Sequence, residues 1–326
     1  LAKSSFNRLA FGESDDHFTA AQALEKLKAG NKIPVILDTD IGDDIDDTWA
    51  LVLLLKLSQL DVRLIVGDNR NALYRAKLIA KLLEVAGRTD IPVGLGIGVE
   101  DRPGRQSRWI GDYDLKSYPG KVHEDGVQAI IDTIRNSPEP VTLICIGPVQ
   151  NIGEVLKRAP DVARHARFVG MHGSVYKGYG GSQEISAEYN VKVDPKALQT
   201  VFAADWEITI TPLDTCGLVH LTGEKFRKVY ECSDKLVRTL MENYQVWREA
   251  GEKKQLPPPN QSSTLFDTVA IYLAQAENLT EMETLSLVVT DDGFTRIDSS
   301  GRPVRAAVRW KDMAAYEDWL VERLTT

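Results

Sequence analysis

Ile33-Pro34-Val35-Ile36-Leu37-Asp38-Thr39-Asp40-Ile41-Gly42-Asp43-Asp44-Ile45-Asp46-Asp47 leads directly into the apolar segment Thr48 to Leu57. The first five residues read as a buried strand, and Thr48 to Leu57 as a nearly all-apolar helix. Between them six aspartates fall within ten residues. A strand passing into a helix through a short loop is the opening of a βαβ unit, and ligands of open α/β sheets bind at the carboxyl ends of the strands, where this loop lies. Crowded carboxylates raise one another's pKa values unless a cation is present. A hard divalent ion removes that penalty, and calcium accepts six to eight oxygens in a flexible geometry. Helix capping by Asp46 and Asp47, worth about 0.3–1 kcal/mol each, accounts for one or two aspartates. It does not account for Asp38 and Asp40 at the strand end. The loop therefore reads as a metal site.

Alternation continues outward. A strand over 61–66 and a helix over 71–86, closed by Gly87, follow the acidic loop, and Ile91-Pro92-Val93-Gly94 is a third strand. Residues 98–122, rich in Gly, Pro, Arg, Trp and Tyr without a period, read as a long lid or binding loop. Helix 124–136, strand 141–146, helix 149–158 and strand 166–171 resume the pattern. The glycine-rich stretch 173–181 is a second flexible loop, followed by helix 195–203, strand 207–211 and one long helix over 223–250. Residues 253–260, with three consecutive prolines, form a rigid turn or linker before a helix over 265–274 and terminal strands. Residues 1–31 read as a peripheral extension, with Ser14-Asp15-Asp16 capping a helix over 20–28, and 32–326 as one α/β domain with a mostly parallel central sheet flanked by helices.

Composition narrows the function. The 326 residues carry a net charge of −8, with 43% hydrophobic and 26% charged residues. No basic stripe is present to displace counterions, so nucleic acid is excluded as a main partner. The longest apolar run, Trp49 to Leu55, is far short of the roughly 20 residues of a membrane span. Cys145, Cys216 and Cys232 show no Cys-x-x-Cys spacing, which argues against structural zinc and against a disulfide framework. The chain starts at Leu1, an arrangement that signal-peptide removal before export and a trimmed cytoplasmic chain explain equally well.

The segment from Val35 to Gly42, with Asp46-Asp47 and the apolar helix after them, resembles the signature of the inosine-uridine preferring nucleoside hydrolase family, Asp-x-Asp-Pro-Gly-x-Asp-Asp. Ile41 stands where Pro is usual, and two extra residues precede the aspartate pair. The helix beginning at Thr48 sets the register, so Asp46-Asp47 match the pair. Further blocks follow in order: Asn71 to Ala76; Leu143 to Ile152, similar to Leu-Gly-Pro-Leu-Thr-Asn-Ile; Met171-His172-Gly173; Glu188 to Pro195, similar to Glu-Phe-Asn-x-x-x-Asp-Pro; and Phe266-Asp267 with Ala270, where the family has His-Asp-x-x-Ala. Together they span about residues 33–310.

The resemblance implies a single Rossmann-like nucleoside hydrolase fold and an N-glycosyl hydrolase, a glycosidase of nucleoside metabolism that splits ribonucleosides into ribose and free base. It implies Ca²⁺ held by Asp40, Asp47, the Gln150 carbonyl and Asp267. Asp40 would be the general base on a calcium-bound water. Asp46, Asn71, Glu188, Asn190 and Asp267 would grip the ribose, with Met171 packing on the sugar. It also implies a homo-oligomer, a dimer or tetramer. Three positions depart from the family pattern. Phe266 replaces the His that protonates the leaving base, Ser182 replaces an Asn, and His172 follows Met171. Tyr244, Trp247 and Trp109 are candidates to stack the base instead, and His172 is a candidate acid. Other readings of the same residues are a nucleoside- or ribose-binding protein with impaired turnover, a hydrolase of another N-riboside, and a phosphatase using Asp38-Thr39-Asp40.

Overall fold

A computed structural model describes residues 17–98 and 100–326. Its strands are β1 (Ile33–Thr39), β2 (Leu60–Gly67), β3 (Val93–Leu95), β4 (Val122–His123), β5 (Val141–Cys145), β6 (Ala166–Met171), β7 (Ile208–Thr211), β8 (Thr280–Val289), β9 (Thr295–Ile297) and β10 (Arg302–Trp310). They form one sheet in the order β4-β3-β2-β1-β5-β6-β7-β10-β8-β9. Pairing is parallel from β4 through β10, and only β8 and β9 join antiparallel. From β1 the chain builds outward through β2, β3 and β4, then returns to β1's other edge with β5. The strand order reverses there, and a crevice opens at the carboxyl ends of β1 and β5.

Helices cover both faces: α1 (Ala20–Lys28), α2 (Asp46–Lys56), α3 (Ala72–Ala86), α4 (Ser107–Ile110), α5 (Gly126–Asn136), α6 (Gln150–Arg158), α7 (Tyr189–Val193), α8 (Pro195–Ala203), α9 (Gly223–Tyr230), α10 (Lys235–Glu252), α11 (Thr268–Leu273) and α12 (Met313–Thr325). Side chains alternate across β1. Val35 and Leu37 enter a core shared with α2, α3, α10, α11 and α12, while Ile36 enters a second core with α5, α6 and α8. Helix α2 is apolar around its whole circumference because it is buried from Asp46 through Leu54. Each large side chain so buried contributes about 1.5–3 kcal/mol.

Several boundaries differ from the sequence reading. The cap expected at Ser14-Asp15-Asp16 lies outside the described residues, and Thr19 caps α1 through a capping box with Gln22. Phe18 and Ala23 are buried in the first core, so this segment packs on the domain. The single helix expected over 223–250 is two, because the Asp234 carboxylate accepts the Leu236 and Val237 amides and starts a new helix. Helix α12 follows the terminal strands.

Candidate active site

The acidic loop is folded around a buried cation. Arg75, on the first turns of α3, is 1% exposed. Its guanidinium donates to the carbonyls of Asp40, Ile41 (2.7 Å) and Asn69 (2.8 Å) and to the Asp43 carboxylate (3.0 Å). The chain turns at Gly42 with φ +111°, where an added Cβ would collide with the Tyr74 ring. Tyr74 in turn donates to the Gly42 carbonyl at 3.0 Å. Asp38 points the other way, into α6, accepting from Asn151 Nδ2 at 2.8 Å.

Beyond the turn, Asp46 and Asp47 open α2, and the Thr39 hydroxyl donates to Asp47 at 2.5 Å. Asp267 is the residue before α11, yet its carboxylate does not cap that helix. Asp46, Asp47 and Asp267 bring one oxygen each to within 4.8 Å of one another, all buried. Asp40 lines the same cavity outside this triad. Burial, reinforced by like charges, raises the carboxyls of Asp46, Asp47 and Asp267 well above the usual range. Burial pushes Asp40 up to about 7, against the opposing pull of Arg75. Among the described residues no Lys or Arg side chain pairs with Asp40, Asp46, Asp47 or Asp267. Hard, buried, unneutralised oxygens fit a hard divalent cation.

The opposite wall comes from β5, β6 and α7. Glu188 caps α7, its carboxylate accepting from Asn190 N (2.8 Å), Val191 N (3.3 Å) and Gly173 N (3.0 Å). Burial still raises it to about 7. The Asn190 amide donates to the carbonyls of Ile146 and Met171, 3.1 Å each, and ties the ends of β5 and β6 together. Asp40, Asp46, Asp47, Asp267, Met171, Glu188 and Asn190 thus line one cavity of about 610 Å³.

Neither Asn71 nor the Gln150 side chain lines this cavity. Asn71 is spent on the start of α3, accepting from Tyr74 N at 2.9 Å and donating to the Arg102 carbonyl at 3.2 Å. Asn69, two residues earlier, is buried with an unpartnered Nδ2 just past the carboxyl end of β2. The spacing held that signal, since the residue directly before a helix is its cap. Gln150 opens α6, its amide N–H donating to Asp68 Oδ2 at 3.1 Å and its side chain to Asp194 at 3.2 Å. It lines a separate, smaller cavity with Lys157 and Lys196. Asp68 also escaped the sequence reading. Its carboxylate holds the first amides of α6 beside Asp38, and burial raises it to about 6.

The stacking candidates are not on the cavity. Tyr244 is buried between Trp49 and Phe226, and Trp247 stacks on it while donating from Nε1 to the Asp43 carbonyl at 2.9 Å. Trp109 packs under Lys81. The aromatic lining is instead Phe266, Tyr179 and Tyr189, with Tyr179 edge-on to Phe266 at 6.2 Å. His172 is no candidate acid: it is fully buried, bonded to the Gly147 carbonyl at 3.0 Å, and burial lowers it to about 4. The 98–122 excursion does reach the cavity, through Arg102, Pro103, Gly104 and Arg105. Gln106 anchors it, paired with Thr48 and donating to Asn243. The 173–181 loop, expected to be flexible, is pinned where the Asp214 carboxylate accepts the amides of Val175, Tyr176 and Lys177.

This fold and pocket define an α/β enzyme with a carboxylate-walled, cation-compatible site at the switch point of its sheet. Comparison with known proteins agrees. The family model described as inosine-uridine preferring nucleoside hydrolase matches residues 35–316. The non-specific ribonucleoside hydrolase RihC of Salmonella typhimurium is 29% identical over 310 residues, 88% of this chain and 96% of that protein. Among solved structures, the plant nucleoside hydrolase PpNRh1 superposes with a TM-score of 0.73 at 21% identity, covering 90% of this chain and 99% of that one. A purine-preferring ribonucleoside hydrolase from Gardnerella vaginalis gives 0.70 at 21% identity, covering 90% and 98%. The chain belongs to the inosine-uridine preferring nucleoside hydrolase family, whose members are N-glycosyl hydrolases.

Proposed function

We propose that this protein is a calcium-dependent hydrolase of ribonucleosides, releasing ribose and free base. One observation carries the reading: carboxylates with no cationic partner and the polar residues Glu188 and Asn190 converge with Met171 on one cavity at the sheet's switch point. Asp47 and Asp267, with Asp40 and the Gln150 carbonyl, would hold the ion, and Asp46 stands close enough to join them. When bound, the ion supplies Lewis acidity that makes a nearby water easier to deprotonate.

Asp40 takes one proton from the attacking water. The water oxygen bonds to C1′ as the C1′–N bond breaks, and the bonding pair leaves with the base. The sugar passes through an oxocarbenium-like state, which the surrounding carboxylates stabilise. Asp46, Asp267, Glu188 and Asn190, with Asn69 in the place first given to Asn71, position the ribose hydroxyls. Phe266 has no proton to give, so the departing base takes its proton from solvent or leaves as an anion. The same substitution is what favours the second reading, a nucleoside-binding protein that has lost turnover. Incubation with a panel of ribonucleosides separates the two. Released reducing sugar supports the hydrolase, and binding without release supports the sensor. Sedimentation of the same sample tests the expected dimer or tetramer.

A further inference from the structure

Resting on the hydrolase reading, we propose that the preferred substrate is a riboside carrying an anionic group, gripped by Arg70, Arg102 and Arg105 on the outer wall of the cavity. The chemistry recognised is an oxyanion, either a phosphate on the sugar or a carboxylate on the base. The cavity floor and the chain as a whole are acidic, yet every basic residue lining this cavity is an arginine. Guanidinium is the side chain whose fork of donors matches a planar or tetrahedral oxyanion.

The main chain that carries these arginines is held in place. Arg70 follows Asn69, and both adopt left-handed backbone, φ +52° and +62°. Two consecutive non-glycine residues in that region are costly and persist where function or packing demands them. The Glu100 amide donates to the Arg70 carbonyl at 3.3 Å, and Asn71 donates to the Arg102 carbonyl. The Arg105 amide donates to the Gly42 carbonyl at 3.1 Å, and its guanidinium lies 3.8 Å over the Trp247 ring. Gly251 makes room for it, since an added Cβ would collide with Arg105 Nη2.

The carboxylates paired with the outer-wall arginines are shared. Asp43 is shared between the buried Arg75 at 3.0 Å and Arg70 at 3.4 Å. Glu100 accepts from Arg102 at 3.1 Å and stands 3.8 Å from Arg70. Arg70 and Arg102 thus draw on two carboxylates that are already shared. Asp44, the remaining acid on this side, is beyond ion-pair distance of all three arginines, and Arg105 has no carboxylate partner among the described residues. Its buried Nε lacks any acceptor. Glu100, spanning Arg70 and Arg102, makes the bonds that an incoming oxyanion would make, and so competes with it.

The test compares kcat/KM of the full chain at saturating Ca²⁺ for uridine, uridine 5′-monophosphate and orotidine, read as released reducing sugar. One anionic substrate should exceed uridine by roughly tenfold, and which one does so shows whether the anion sits on sugar or base. Arg102→Ala and Arg105→Ala should each cut that ratio several-fold, Glu100→Gln should raise it, and added salt should lower it. Arg309→Ala, exposed and paired only with Glu281, should leave it unchanged. Uridine cleaved as well as both anionic substrates, with a ratio indifferent to these substitutions, would overturn the proposal and leave the hydrolase intact. No sugar released from any of the three, nor from inosine, adenosine or guanosine, would overturn the hydrolase reading itself.

Discussion

The floor and the outer wall of the cavity are built on opposite plans. The floor is buried carboxylate at the ends of β1, α2 and α11, with no cationic partner for its central oxygens. The outer wall is arginine and aromatic side chain, carried on the segments after β2, β3 and β6 and, for Phe266, on the segment before α11. A floor of that kind is costly alone, and a bound cation would relieve it. A wall of that kind is stable alone and free to vary. Under the proposed hydrolase reading, the difference would put bond breaking at the bottom and the choice of leaving base at the top.

Breaking the floor should cost most. Asp40→Asn should lower turnover about a thousandfold, the scale of a lost general base, with an unchanged circular dichroism spectrum. Turnover near that of the parent would remove Asp40 from the chemistry. Arg75→Met should come next. It strips the acidic loop of its internal cation and leaves three backbone carbonyls short of a donor, a loss of about 3 kcal/mol in unfolding free energy. Denaturant unfolding checks this, and an unaltered midpoint would show that the loop holds its shape without the guanidinium.

The wall should respond more mildly. Phe266→His supplies a proton donor beside the departing base and should raise kcat on ribonucleosides about tenfold, while leaving p-nitrophenyl riboside, whose leaving group needs no acid, unaffected. Equal effects on both substrates would mean that Phe266 acts on binding.

The smallest effect is on stability against pH. Asp40 and Glu188 are raised to about 7 and Asp68 to about 6 by burial. Without calcium the folded state therefore holds more protons than the unfolded one above about pH 4. Stability is greatest at low pH and is lost as pH rises toward 7. Melting temperature in chelator should fall by a few degrees from pH 5 to pH 8, and added Ca²⁺ should reverse the fall. A chelated melting temperature that rises with pH would refute the assignment.

The contrast also explains what could be read from the residues alone. β1, the acidic loop and α2 were legible because an apolar run, a block of aspartates and a second apolar run leave little freedom. Asp46, Asp47, Glu188, Asn190 and Asp267 line one cavity. Asn71 does not, because its side chain is engaged at the start of α3. The break between α9 and α10 was hidden because Cys232-Ser233-Asp234 interrupts no hydrophobic period, and only the capping bonds of Asp234 reveal it. The wall was least legible. Trp247 and Tyr244 carry the aromatic character of a base platform, yet the long excursion docks over Trp247 through Arg105 and leaves Tyr179, Tyr189 and Phe266 to face the cavity. Such loop-on-helix docking has no sequence period.

Calorimetric titration of the chelator-stripped protein with Ca²⁺ at pH 7, run in two buffers of different ionisation enthalpy, tests the floor most directly. One ion should bind per chain with release of protons from the raised carboxyls, and Asp267→Asn should weaken it by at least tenfold. Absence of any binding heat at millimolar Ca²⁺, or binding that neither releases protons nor depends on Asp267, would contradict a cation at the centre of the site.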